Sequence, residues 1–528
     1  MYSPLSLLLL TLTQGPAPGP VPLYTDLGQH HHAISTKVPQ TQQYFDQGLR
    51  LVFGFNHGEA IRAFNEAARR DPDCAICYWG VALAHGPHVN APMDSASGVA
   101  AYAAVEKARA HLSSASLPER AYINAVAKRY AAVPPANRAS LDSAYARAMG
   151  EVVRATPNDL DAATLYAEAL MDLRPWNYWK QPSGEPYPGT TEIVSQLERV
   201  IAANPNHPGA CHYYIHAVEA VQPQKAVACA ERLASLMPGD GHMVHMPAHI
   251  YIRVGRYAEA IQSNVHAVHT DETYIEDQHP AGVYPLGYYP HNLHFLAFAS
   301  TMAGQSAVAI DAARKLGEKT DLQVARQVAL LQPFVTFLDL TLVTFGRWDD
   351  VLKAPLPPAD IPYSNAMGHY ARGVAFAATG KKSDAEVELA VVQKVAAAAT
   401  DDSKRVFNIA AHALMGEIAA RNDDLNAAIA HFQQAKSMED SILYYEPPTW
   451  YYPIRHSLGS VFLRAQRPVD AEQAYREDLK RFPENGWALF GLAQALRARG
   501  KTAEAIQVDA RFKKAWQGAD VTLVASRF

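Results

Sequence analysis

Residues 55–86 read FNHGEAIRAFNEAARRDPDCAICYWGVALAHG, and this stretch decides the fold. A short turn is followed by the small residue Ala60, the aromatic residue Phe64 four positions later, and a closing proline. The next helix-forming run carries the pair Trp79 and Gly80, in which the small residue lets a neighbouring helix approach closely. The pattern therefore predicts two antiparallel helices joined by a short turn.

The same pattern returns along the chain at spacings compatible with a period of about 34 residues. It recurs at residues 254–268, 379–392, 422–435, 467–483 and 499–512. These stretches resemble the tetratricopeptide repeat family. The resemblance implies an all-α fold in which helical hairpins stack into a right-handed α-solenoid with a concave inner wall, because one hairpin cannot bury its apolar face alone.

Two blocks resemble a histidine-rich subtype of this family, FNHGEAIRAF at residues 55–64 and HMPAHIY at residues 245–251. The family in general implies that a peptide or protein ligand lies in the concave groove. Its carboxylate-binding members use Lys, Asn and Arg on the inner helices, whereas the corresponding positions of this chain hold His and Cys. Because of this difference, the chain is not expected to be a co-chaperone of the carboxylate-binding kind.

The composition excludes two classes of protein and identifies histidine as the unusual residue. The chain has 528 residues, of which 49% are hydrophobic and 19% charged, with a net charge of −5. Because no segment concentrates Lys and Arg into the footprint that phosphate neutralisation needs, a general nucleic-acid binder is not expected. Four cysteines in so long a chain exclude a disulfide scaffold. The 22 histidines are the unusual feature, because many of them are clustered.

The amino terminus contains an apolar run, Leu5 to Leu12, followed by Gly and Pro. The run is too short to span a bilayer but fits the centre of a secretory signal, although no Lys or Arg precedes it. It predicts a periplasmic or secreted protein, or a cytoplasmic one if the run is not a signal. No membrane span is expected.

The predicted organisation has seven parts. They are a signal peptide (1–20), an extended segment (21–40), amino-terminal repeat-like helices (41–172), an inserted loop (173–190), central histidine-rich units (191–352), a linker (353–363) and carboxy-terminal units (364–528). Further Pro- and Gly-containing interruptions are expected at residues 271–292 and 441–454, because those residues forbid a continuous helix.

Histidines recur at helical spacing in three successive units. In GHMVHMPAHIY, His242, His245 and His249 occupy positions 2, 5 and 9 of a first helix, and steps of three and four keep them on one inner stripe. The units on either side add His291 with His294, and His212 with His216 one residue out of register. The sequence predicts that seven histidines face one region: His212, His216, His242, His245, His249, His291 and His294.

Neutral imidazole is a common metal ligand, and crowding in a pocket lowers histidine pKa values and so keeps the rings neutral. A transition metal is therefore expected, with copper favoured by the nearby Met243 and Met246 and iron or zinc as alternatives. A switchable or substrate-binding imidazole cluster is the other interpretation. Glu219, three residues after His216, is the candidate catalytic group, either as a general base, a ligand or a partner to an imidazole N–H.

The inserted loops are rich in Trp and Tyr, which either pack the seams of the solenoid or fold over its groove. The candidate substrate-pocket residues are Tyr288, Tyr289, Tyr452, Arg455 and His456. A possible second site consists of Cys74, Cys77 and His85, in which the cysteines form a redox or metal pair. The alternative for the cysteines is a pair of buried small residues. The run from His30 to His32 has no function that can be inferred from the sequence, and Cys211 and Cys229 are expected in the core.

The leading hypothesis is an exported solenoid that binds a transition metal in its concave pocket. If one coordination position stays open, it would be a metal-dependent oxidoreductase or hydrolase acting on a small or aromatic substrate. One alternative is a protein-interaction scaffold that holds an extended peptide in the groove. The other is a metal storage or delivery protein.

Overall fold

A computed structural model describes residues 19–528, so the apolar run of the predicted signal peptide lies outside the described residues. Within them the secondary structure is helical and no β-strand forms, which confirms the all-α prediction. The chain forms two compact units. Unit 1 consists of residues 1–250 and 266–289, and unit 2 of residues 251–265 and 290–528.

Unit 1 is built from helices that each pack against the next along the chain. They are α1 (Pro39–Phe53), α2 (His57–Arg70), α3 (Ala75–Ala84), α4 (Ser95–Ala110), α5 (Leu117–Val126), α6 (Ala139–Ala155), α7 (Leu160–Met171), α8 (Thr190–Ala203), α9 (Pro208–Val218), α10 (Val227–Leu236) and α11 (Gly241–His245). Helices α12 (Pro247–Arg253) and α13 (Tyr257–Gln278) contribute residues to both units.

Unit 2 continues with helical hairpins of the same kind. They are α14 (Tyr289–Met302), α15 (Ser306–Lys319), α16 (Leu322–Gln327), α17 (Gln332–Thr344), α18 (Trp348–Lys353), α19 (Pro362–Ala378), α20 (Lys382–Ala398), α21 (Ser403–Arg421), α22 (Leu425–Glu439), α23 (Ile454–Arg464), α24 (Pro468–Arg481), α25 (Gly486–Ala498) and α26 (Thr502–Ala515). The interruption expected at residues 271–292 is shorter in the structure, because residues 271–278 hold neither Pro nor Gly and α13 continues through them.

Helix α2 shows how the repeat sequence specifies its structure. The Asn56 side chain caps the first turn by accepting a hydrogen bond from the backbone N–H of Glu59, at 3.3 Å. Ala60, Ala63 and Phe64 then follow at helical spacing, and all three are completely buried. This small and aromatic stripe packs against α1 and α3.

Small residues in the repeats permit close helix contact, as the sequence predicted. A Cβ atom added to Gly80 would lie 2.4 Å from the Phe64 ring, and one added to Gly459 would lie 2.3 Å from the Tyr475 ring. On the other side, a Cβ added to Gly491 would lie 2.2 Å from the same tyrosine. Because Tyr475 is confined from both sides, its ring cannot shift to make room for a methyl group.

Replacement of this glycine is expected to destabilise the protein. Gly459→Ala should lower the free energy of unfolding by about 1–3 kcal/mol, because the added methyl group overpacks a filled core. Chemical denaturation measures the change. Gly58→Ala is the matched control: it also lies in a helix, but a Cβ there meets nothing within 4 Å, so its stability should stay the same or rise. An unchanged Gly459→Ala protein would contradict the packing argument.

The four cysteines form two disulfides, Cys74 with Cys77 and Cys211 with Cys229. The sequence excluded only a fold that depends on disulfides, and it did not predict these two bonds. The count took no account of local geometry: the Cα atoms of the two pairs are 5.4 and 5.1 Å apart, within the usual range for a disulfide. Cys211 and Cys229 are nevertheless buried in the core, as expected.

None of the helices formed by residues 19–528 combines the length and the apolar composition that crossing a membrane requires.

Candidate metal centre

Three buried histidines of unit 1 converge on one point. His212 and His216 lie one turn apart on α9, and His242 lies on α11. Each can offer one ring nitrogen such that the three nitrogens all lie within 4.8 Å of one another. The side chains are at most 3% exposed. We call these residues the histidine triad. The register of His212 and His216, which looked one residue wrong in the sequence, does not prevent their convergence with His242.

Two neighbouring oxygens determine which nitrogens of the triad carry protons. His212 Nδ1 lies 2.6 Å from the backbone carbonyl of Phe53, which has no intrahelical partner because it ends α1. Since a carbonyl only accepts, Nδ1 donates and Nε2 keeps its lone pair. His216 Nδ1 likewise donates to Glu219 Oε1, at 3.2 Å. Both Nε2 atoms, and both ring nitrogens of His242, lack a hydrogen-bond partner among the described residues.

Burial keeps the triad neutral. Desolvation lowers the pKa of His216 and, together with neighbouring imidazoles, holds the pKa values of His212 and His242 well below the usual 6.5. A neutral imidazole with a free lone pair is the form that coordinates a metal ion.

Glu219 follows α9 and is completely buried. Its Oε1 accepts from His216, and its Oε2 accepts from His249 Nδ1 at 2.6 Å. Burial alone would raise its pKa, but the polar N–H groups of His249 and His216, which bond to the carboxylate, outweigh burial and lower the pKa to about 2. Of the three roles that the sequence allowed, the geometry favours that of a partner to imidazole N–H groups.

A second group of histidines lies beside the triad. His245 Nε2 and His249 Nε2 are 2.9 Å apart, one turn from each other across the junction of α11 and α12. The ring centroids of His249 and His216 are separated by 5.7 Å, and those of His245 and His242 by 6.0 Å. We call His245 and His249 the histidine pair.

Aromatic side chains surround the triad. The ring centroid of Phe55 is 4.5 Å from that of His212, and the ring centroid of Tyr288 is 4.5 Å from that of His242. Trp176 meets the His216 ring edge-on, with the centroids 5.1 Å apart. Two of these residues come from the interrupting stretches 173–190 and 271–292, so in unit 1 these stretches cover the histidines. Sequence analysis did not identify Phe55 as a neighbour of the triad. Its backbone is left-handed, with φ 59°, just after the end of α1.

The remaining two predicted ligands belong to unit 2. The ring centroids of His291 and Phe295 are 5.1 Å apart, and those of His294 and Phe337 are 4.3 Å apart. Burial lowers the pKa of His294 to about 3. Five of the seven predicted histidines therefore lie together within unit 1.

The predicted substrate-pocket residues do not form one pocket within either unit. Tyr288 and Tyr289 belong to unit 1, and the other three belong to unit 2, where each has an internal partner. Arg455 makes two bonds of 2.8 Å to Asp440, His456 lies 3.0 Å from an Asp478 oxygen, and the Tyr452 hydroxyl lies 3.1 Å from Ser457 Oγ. Sequence reasoning placed them at the surface of a pocket because their internal partners lie on other helices or turns.

A cavity in unit 2 has a volume of about 40 Å³, and Arg253, Glu439 and Trp450 are among its lining residues. The cavity lies in a different unit from the histidine triad, which belongs to unit 1.

The possible second site also changes in the structure. Cys74 and Cys77 are bonded to each other, so their sulfurs are not the thiolates that a metal requires. The metal interpretation of these cysteines with His85 is wrong for this state of the protein, whereas the redox interpretation of the cysteines stays a prediction.

Sequence analysis missed a further histidine cluster. His30 Nε2, His32 Nδ1 and His207 Nε2 approach the carboxylate of Asp161 at 2.8, 2.7 and 3.0 Å. The contact joins the extended amino-terminal segment to α7 and to the residue that caps α9. We call this arrangement the Asp161 node. Only the run from His30 to His32 gave a signal, and nothing local in the sequence pointed to Asp161.

The fold and the triad together define a helical-repeat protein with a candidate metal centre. Residues 456–520 match the family model of the tetratricopeptide repeat. This match confirms the tetratricopeptide repeat that the sequence pattern predicted in that part of the chain.

Similar solved structures include a human IFIT1 dimer with m7Gppp-AAAA and the APC/C hetero-tetramer Cut9-Hcn1. The first is 12% identical, with 92% of this chain and 91% of that chain covered and a TM-score of 0.31. The second is 13% identical, with 90% and 76% covered and a TM-score of 0.31. No curated protein is similar enough in sequence to match the chain. The repeat fold suggests a protein-interaction scaffold, in which the histidine groups are an additional feature.

Proposed function

We propose that unit 1 binds a transition-metal ion through His212, His216 and His242. The observation that carries this proposal is the convergence of buried ring nitrogens without hydrogen-bond partners. Leaving a buried polar atom unpaired costs about 1–3 kcal/mol. A bound cation would satisfy three such nitrogens at once.

The tautomers support the proposal. Phe53 and Glu219 hold Nδ1 of two triad histidines as donors, which directs both Nε2 lone pairs away from these partners. In metal sites, a ligating histidine commonly donates its other ring N–H to a carbonyl or a carboxylate. The carboxylate of Glu219 also supplies negative charge next to a site that would receive a cation.

An all-nitrogen ligand set suits copper, with zinc and iron as alternatives. Three protein nitrogens leave a coordination position for water or a substrate. Phe55, Trp176 and Tyr288 would line that position, which suits oxidation or hydrolysis of a small or aromatic substrate. Export to an oxidising compartment is part of the proposal, and the two disulfides support it.

Metal titration tests the proposal directly. Chelator-treated protein is titrated separately with Cu²⁺ and Zn²⁺, and the bound metal is measured by elemental analysis after gel filtration. The doubly substituted His212→Ala, His216→Ala protein should lose the ion that the triad holds. His269→Ala is the matched control, because this histidine is exposed and should leave binding unchanged. Wild-type protein that binds no metal tightly would overturn the proposal.

Glu219 should matter for affinity although it does not contact the ion. Glu219→Gln removes the negative charge and one of the two acceptors, so His216 loses its fixed tautomer. Metal affinity should fall by about 10–100-fold, the usual effect of changing the hydrogen-bond partner of a ligand. Competition with a coloured chelator gives the affinity. An equal affinity in the variant would show that the carboxylate does not orient the ligand.

A further inference from the structure

We infer that His245 and His249 hold a second metal ion, so that unit 1 contains a two-metal centre. The inference rests on the proposed function, because the pair is argued to supply the neighbour of the ion in the triad. The starting observation is the distance of 2.9 Å between the two Nε2 atoms of the pair. Both side chains are almost completely buried.

The hydrogen bond of His249 fixes its chemistry. Its Nδ1 lies 2.6 Å from Glu219 Oε2, so Nδ1 carries the proton and Nε2 presents a lone pair to His245. Glu219 thereby holds one histidine of the triad and one of the pair in the same tautomer. One buried carboxylate orients ligands for two neighbouring positions.

The distance between the nitrogens allows one ion to reach both. In this structure the 2.9 Å contact is an N–H···N hydrogen bond, in which His245 Nε2 donates to His249 Nε2. A metal ion would displace that proton and bind both nitrogens, since two ligands at metal–nitrogen distances of about 2.0–2.1 Å lie about 2.9–3.3 Å apart.

The two positions are close enough to interact. The His216 and His249 rings meet edge to face at a centroid distance of 5.7 Å, and the His242 and His245 rings stack at 6.0 Å. Two Cu²⁺ ions held by such neighbouring rings would couple magnetically, which removes signal from electron paramagnetic resonance. Loss of this signal would therefore show that the two ions are neighbours, which the number of bound ions alone does not show.

The test uses the full chain and Cu²⁺ alone. Wild-type protein should bind two ions, with less resonance-visible copper than total copper. His245→Ala should bind one ion, and electron paramagnetic resonance should then detect all of the bound copper. If this variant does not fold, His245→Gln replaces it, because glutamine can still donate to His249 Nε2 but is a poor ligand. His269→Ala should behave as wild type.

Three results would overturn the two-metal centre and each is distinct from failure of the triad. A single ion in the wild-type protein that His245→Ala retains would show that the 2.9 Å N–H···N contact does not bind metal, and would leave the triad site standing. Two bound ions that are both fully visible would place them apart. Two ions retained in His245→Ala would exclude the pair as ligands. Loss of binding in the triad variant alone tests the proposed function separately.

Discussion

Metal-free protein is expected to lose several kcal/mol of unfolding free energy when the pH falls from about 7 to about 5. Burial lowers the pKa of His57 to about 3 and, with neighbouring imidazoles, holds the pKa values of His88, His212 and His242 well below 6.5. In the unfolded chain these side chains titrate near 6.5. Acid therefore protonates the unfolded state first, and stability that is present above pH 6.5 is lost below it.

The size of the effect follows from linkage. A histidine that stays neutral in the folded protein lowers the free energy of unfolding by about 2 kcal/mol at pH 5. Each pH unit below the pKa of the unfolded chain lowers it by about 1.4 kcal/mol. Several such residues approach the whole stability of a domain, about 5–15 kcal/mol. Chemical denaturation at a series of pH values, with a chelator present, measures the loss.

The slope of stability against pH identifies the residues responsible. His88→Gln should reduce the slope by about 1.4 kcal/mol per pH unit, because one titrating group is removed. The slope is the quantity compared, because it depends only on the difference in bound protons between the unfolded and folded states, whereas the absolute stability also depends on packing. His269→Ala is the control and should keep the wild-type slope, because this side chain is exposed. A wild-type protein equally stable at both pH values would show that the buried rings do not remain neutral.

The sequence predicted the features that depend on periodicity. Helical spacing identified the hairpins, the glycines at close helix contacts, and the stripe that contains His242, His245 and His249. Each of these follows from a repeat of three or four residues, which fixes direction along a helix whatever lies opposite.

Long-range partners were not accessible from periodicity. The carbonyl that orients His212 belongs to Phe53, 159 residues earlier, and the Asp161 partner of His30 lies 131 residues away. Neither residue carries a local pattern that distinguishes it from its neighbours. The same reason accounts for Cys211 and Cys229, whose pairing depends on the packing of α9 against α10.

We expect the Asp161 side chain to contribute more to the free energy of unfolding than any other single side chain outside the triad and the pair. Asp161→Ala is expected to lower the free energy of unfolding by about 3–5 kcal/mol, because it leaves buried imidazole donors without their acceptor. Burial by itself would raise the pKa of Asp161, but hydrogen bonds from His207, His30 and His32 outweigh burial and hold the pKa well below its usual range. The ionised carboxylate is therefore the acceptor for all three rings.

Loss of the node should also release the amino-terminal segment. His30 and His32 lie on that segment, and their bonds to Asp161 are among the contacts that hold it against the helices of unit 1. Limited proteolysis of Asp161→Ala should therefore cut near residues 28–36 sooner than in wild type. His31→Ala is the matched control, since this neighbouring ring is 56% exposed and bonds to Asp46 instead. It should cost less than about 1 kcal/mol. If both variants lost equal stability, the shared carboxylate would not be what anchors the segment.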